Sequence, residues 1–138
     1  MNKLVQISAA EWIVMEILWR EGHATAADVI AALAESSNWN HRTIRTLLTR
    51  LVEKKVLEAR TAGHRYVYRP LVSREKCVRL ESRSFLEKVF AGDAAELLLH
   101  FARNSKITPA QFKRLRQLLD EKQSEDDSSA SCQRESMR

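Results

Sequence analysis

Apolar residues at Ile44, Leu47, Leu48, Leu51 and Val52 fall at i, i+3, i+4, i+7 and i+8, the spacing that gathers side chains on one face of an α-helix. The stretch Trp39 to Leu57 therefore reads as a helix with Asn40 as its N-cap. At about 100° per residue, Arg42, Thr46, Thr49 and Arg50 project from the opposite face, with Thr43 and Arg45 on its two borders. Upstream, Ser8-Ala9-Ala10-Glu11 has the form of a capping box and opens a helix that stops at Gly22. Trp12, Ile13, Val14, Met15, Ile17, Leu18 and Trp19 make that helix apolar over most of its circumference, so both tryptophans are expected in a core. Glu16 and Arg20, an i,i+4 pair, mark its wet side. A second helix opens at Thr25-Ala26-Ala27-Asp28 and runs through Val29, Ile30 and Leu33 to the polar break Glu35-Ser36-Ser37-Asn38.

After Leu57 the period changes. Leu57 to Thr61 and Arg65 to Leu71 read as strands joined around Ala62-Gly63, with Tyr66 and Tyr68 on one face and Arg65, Val67 and Arg69 on the other. Helical periodicity returns from Ser73 to Phe90, and Ala91-Gly92 ends it. Asp93 then caps a short apolar helix over Ala94 to Ala102, and Thr108-Pro109-Ala110-Gln111 starts the last one. The final SEDDSSASCQRESMR has the composition of a disordered tail.

The expected fold class is mainly α with a small β-hairpin wing. A winged helix-turn-helix domain occupies residues 1–72, a helical dimerisation domain 73–122 and a disordered tail 123–138. Three helices so rich in apolar residues make a poor core alone in so short a segment. Leu80, Phe85, Leu86, Val89, Leu97, Leu98, Phe101, Phe112, Leu115, Leu118 and Leu119 are expected to pack on a second copy; packing back on the N-terminal domain is the alternative.

The formal charge of +5 suggests an anionic partner, and its distribution sharpens the point. From Asn40 to Val72 eight Lys/Arg face two acids, whereas from Asp120 onward six acids outnumber three basic residues. No apolar run is long enough to span a bilayer and the N-terminus lacks the apolar core of a signal peptide, so a cytoplasmic location is expected. Cys77 and Cys132 are far apart and unpaired by any CxxC, which argues against a disulfide framework or thiolate metal site. Cys77 suits a small buried hydrophobe, with a redox role as the alternative. His23, His41, His64 and His100 have no ligand spacing, so no metal or other cofactor is expected. No phosphate loop, nucleophile elbow or metalloprotease motif is present, and the chain reads as no enzyme.

A leucine-backed helix with an outer face of arginines and threonines suits a DNA major groove. Arg can fork onto guanine O6 and N7; Thr can offer its hydroxyl to a base edge or its methyl to thymine; both can bind phosphate. The hairpin that follows would be a wing, its tip Gly63-His64-Arg65 within reach of phosphate. The competing reading is a winged-helix protein-interaction module without specific DNA binding. The absence of acids from the outer face around Arg42, Arg45 and Arg50 favours DNA.

ISAAEWIVMEILW, WNHRTIRTLLTRL, RYVYRPLV and FLEKVFAGDAAELLLHFA resemble the BlaI/MecI/CopY family of penicillinase-repressor-type regulators over roughly residues 7 to 120. The resemblance implies a homodimeric repressor on a palindromic double-stranded operator, with Arg42, Thr43, Arg45 and Thr46 in the major groove and His64 to Tyr66 near phosphate. Thr49, Arg50 and Arg65 complete the expected DNA-binding set. In the family's β-lactam branch a membrane sensor-protease pathway leads to cleavage at an Asn-Phe bond. The matching pair here is His100-Phe101, which keeps the phenylalanine but lacks the asparagine. The copper branch uses a cysteine-paired C-terminal motif, where this tail has only Cys132.

Overall fold

A computed structural model describes residues 6–136, with side chains through Ser128; the side chain of Cys132 and residues 137–138 lie outside the described residues. The order is α1 (Ala9–Glu21), β1 (Ala24–Thr25), α2 (Ala26–Leu33), α3 (His41–Glu53), β2 (Leu57–Ala62), β3 (Arg65–Pro70), α4 (Arg74–Phe90), α5 (Ala94–Asn104) and α6 (Pro109–Ser136). Most of the helix starts follow from local chemistry. Ser8 and Glu11 close a reciprocal capping box on α1, and Thr25 and Asp28 do the same on α2. Asn40, Ser73 and Asp93 each accept a backbone N–H of the first turn of α3, α4 and α5. Gln111 and Thr108 exchange side-chain to backbone bonds of 3.0 and 3.2 Å at the start of α6.

The apolar face of α3 meets α1 and α2. Val14, Met15 and Leu18 from α1, Val29 and Leu33 from α2, Ile44, Leu47, Leu48 and Leu51 from α3, and Val56 and Leu57 beyond it form one buried cluster. Trp12 and Trp19 stack edge to face at 5.3 Å on the rim of that cluster. Trp19 Nε1 donates to Val72 O at 2.9 Å, tying α1 to the exit of the hairpin. The chain leaves α3 through a tight reversal in which Val56 N donates to Leu51 O and Lys55 N to Val52 O, both at 3.0 Å. This double closure places Lys55 in the left-handed region, at φ 64°, a position that favours glycine.

The strands form a three-stranded antiparallel sheet in the order β1-β3-β2. In the hairpin Leu57 pairs with Pro70 and Ala62 with Arg65, leaving a two-residue turn in which Gly63 supplies the positive φ. β1, which pairs Ala24 with Tyr68 and Thr25 with Val67, has no counterpart in the sequence reading. Two residues cannot display a period of two, and Thr25 announces itself as the cap of α2.

The chain divides into two compact units, Met1–Gly92 and Asp93–Arg138. The division falls after α4, whereas the apolar periodicity suggested one after residue 72. Cys77, one turn into α4, is buried in the core of the first unit, and Arg74 Nε reaches Glu16 Oε1 at 2.9 Å. Glu16 therefore pairs with Arg74 and with Trp12 Nε1, and Arg20 with Glu21, in place of the expected Glu16–Arg20 pair. In the second unit no residue of α5 is buried, and Leu99, Phe101, Phe112, Leu118 and Leu119 are exposed. The expected disordered tail is instead a continuation of α6 to Ser136. No Gly or Pro interrupts the chain after Pro109, and Glu, Lys, Gln, Ala and Arg tolerate helix well. Among the described residues no helix is long and apolar enough to cross a membrane.

Candidate nucleic-acid interface

Burial of Ile44, Leu47, Leu48 and Leu51 fixes how α3 is rotated, and this rotation decides what it offers outward. His41, Arg42, Thr43, Arg45, Thr46, Thr49 and Arg50 are all exposed. Arg42, Arg45, Thr46, Thr49, Arg50 and Glu53 line one open concavity along the helix, so the outer face expected to be free of acids carries one, Glu53, at its last residue. Thr43 stands apart at the helix start, where Asn40 Oδ1 accepts both its backbone N–H (2.8 Å) and its hydroxyl (3.1 Å).

A second concavity is lined by Arg45, by His64, Arg65, Tyr66 and Tyr68 of the wing, and by Thr25, Ala26 and Ala27 at the start of α2. Arg45 is common to both. The structure thus brings the expected wing residues beside the helix and adds the first turn of α2, which the linear pattern left out. Its N-terminal dipole contributes partial positive charge to the same hollow. The signal that could have located it is the capping box at Thr25, a helix N-terminus two residues after His23. Bonds from the Thr25 backbone and then its hydroxyl hold the Asp28 carboxyl below its ordinary range, with Arg65 and His23 adding to the effect.

Which arginines remain available is set by their neighbours. Glu58 engages Arg60 at 2.9 Å and Arg69 at 2.7 Å, and the bond from Arg60 is the largest influence holding its carboxyl below the usual range. Arg42, Arg45, Arg50 and Arg65 have no ion-pair partner within 4.0 Å among the described residues. Four guanidinium groups are therefore left to an external anion or base edge.

One group behind this face escaped the sequence reading. Glu11 caps α1 as expected, yet it is only 2% exposed and its Oε1 also accepts from Lys54 Nζ at 2.6 Å. Lys54 is the C-cap of α3, so this ion pair ties the end of the exposed basic helix to the start of α1. Burial pushes the Glu11 carboxyl up, but Lys54 and the Ser8 bonds outweigh it and leave it below its ordinary value. Among the described residues no group of three or more His, Cys, Asp or Glu is placed to hold a metal ion. His100 and Phe101 stack edge to face at 5.8 Å inside α5, with Asn104 Nδ2 donating to His100 O.

The profile of the penicillinase repressor family matches residues 7–121. The penicillinase repressor of Bacillus licheniformis is 32% identical over 121 residues, covering 88% of this chain and 94% of that protein. The methicillin resistance regulatory protein MecI of Staphylococcus aureus strain N315 is 32% identical over 121 residues, 88% of this chain and 98% of its own length. Among solved structures, the solution structure of the DNA-binding domain of the repressor BlaI is 36% identical, covers 54% of this chain and 90% of that one, and has a TM-score of 0.49.

Proposed function

The chain belongs to the penicillinase repressor family and is a DNA-binding transcriptional repressor, not an enzyme; from that premise we propose that it acts as a homodimer on a palindromic operator. The observation that carries the operator reading is the outer face of α3, where three arginines without ion-pair partners among the described residues stand on a helix whose opposite face is locked into the core. In this reading Arg42, Arg45, Thr46, Thr49 and Arg50 enter the major groove, Thr43 sits at its edge, and His64, Arg65 and Tyr66 lie along phosphate.

The homodimer reading is supported by α5 and α6. Leu98, Leu99, Phe112, Leu115 and Leu119 line a shared apolar groove in the second unit, and none of them is buried. Two copies that cover this surface on each other would remove it from water and link two half-site readers. Derepression through a membrane sensor-protease pathway belongs to the same proposal. Cleavage at His100-Phe101 would need α5 to open there and a histidine to serve where the family's β-lactam branch has asparagine.

The test is a fluorescence-anisotropy titration of the full chain on duplex DNA from its own upstream region against scrambled duplex, at two salt concentrations. A preference of about a thousandfold with a steep salt slope is expected. Equal, weak binding to both duplexes would overturn the operator reading.

A further inference from the structure

A hydroxyl carries one proton, and on α3 all three threonine protons are already engaged. Thr46 Oγ1 donates to Arg42 O and Thr49 Oγ1 to Arg45 O, each at 2.9 Å, while Thr43 Oγ1 donates to Asn40 Oδ1 at 3.1 Å. Thr46 and Thr49 are nonetheless exposed and share one concavity with Arg42, Arg45 and Arg50.

The major-groove edges offer acceptors on guanine N7 and O6, adenine N7 and thymine O4. They offer donors on adenine N6 and cytosine N4, and a single methyl on thymine C5. A threonine whose proton is held on its own helix meets a base acceptor or a phosphate oxygen only by giving that bond up. Its methyl is available without such a loss, and the back-bond to the carbonyl four residues earlier restricts χ1, so the methyl is held in place. The three arginines already provide donors in excess, two or more N–H groups each.

We infer that Thr46 and Thr49 read thymine through their methyl groups, leaving hydrogen-bond donation to Arg42, Arg45 and Arg50. This rests on the operator reading above and adds a base preference to it: each half-site should carry thymine where α3 passes closest.

The test uses the full chain and the duplex it selects from a randomised pool. Each thymine of that duplex is replaced in turn by deoxyuridine, which lacks only the C5 methyl. Loss of a buried methyl contact should weaken binding about fourfold at one or more positions in each half-site. Thr46→Val, which keeps the methyl and loses the hydroxyl, should bind the thymine duplex more tightly than Thr46→Ser, which does the reverse. On the deoxyuridine duplex that difference should shrink. A consensus whose deoxyuridine scan is flat, or tighter binding by the serine variant, would overturn the inference alone. A pool that yields no consensus would overturn the operator reading and this inference with it.

Discussion

At the scale of single residues, Glu11 shows how one side chain serves two levels of structure. Its capping bond to Ser8 is local and legible, because the partners are three residues apart. Its pairing with Lys54 spans 43 positions, and no pattern in the chain announces it. Glu11 Oε2 meets no hydrogen-bond donor among the described residues, so the carboxylate depends on the bonds made by Oε1. Because the folded protein holds this carboxyl below its ordinary value of 4.5, the stability it contributes is present above that value and is lost as pH falls through the depressed one. Glu11→Gln should lower unfolding free energy by about 1–2 kcal/mol at neutral pH, less than for a fully buried pair because Lys54 is partly exposed. It should also flatten the loss of stability on acidification below that value. Chemical denaturation across a pH series checks both, and parallel acid dependence in the two proteins would remove the ion pair from this role.

At the scale of elements, the wing illustrates what a strand's own sequence can specify. Alternation and Gly63 made the hairpin legible, but not the third strand, since β1 exists only because β3 has an edge to pair with. Nor could the sequence say which wing arginines are available. Glu58 lies opposite Arg69 in the register and two residues before Arg60, and it engages both, whereas Arg65 at the tip has no ion-pair partner among the described residues. Arg65→Ala should therefore weaken binding similarly on operator and random DNA and reduce the salt slope by about 1, as read from affinities over a salt series. An unchanged slope would take the wing out of the interface.

At the scale of the whole molecule, the unit boundary controls how the protein can be dissected. A fragment ending at residue 72 would lack Cys77, which is buried in the core of the first unit, whereas one ending at Gly92 retains it. Residues 1–92 keep Leu80, Phe85, Leu86 and Val89 of the expected dimer surface but lose α5 and α6, so they should fold, dimerise more weakly than the full chain and bind a palindromic duplex more weakly, because the two half-site readers are less firmly linked. Sedimentation and anisotropy on the same duplex check this. A fragment that dimerised and bound as tightly as the full chain would remove α5 and α6 from dimerisation.

The sequence by itself determined the features whose causes are local: the caps at Ser8, Thr25, Asn40 and Asp93, the buried stripe of α3 and the turn at Gly63. Capping, helical period and positive φ are each satisfied within a few residues, so they leave a readable trace. Tertiary structure alone decided the partners that lie far apart in the chain. It set Lys54 on Glu11, Arg74 on Glu16, β1 on β3 and the first turn of α2 beside Arg45, and it drew α4 into the first unit. These pairings follow from which surfaces meet once the core closes, and a charge or a short strand looks the same in sequence whichever neighbour it finally meets.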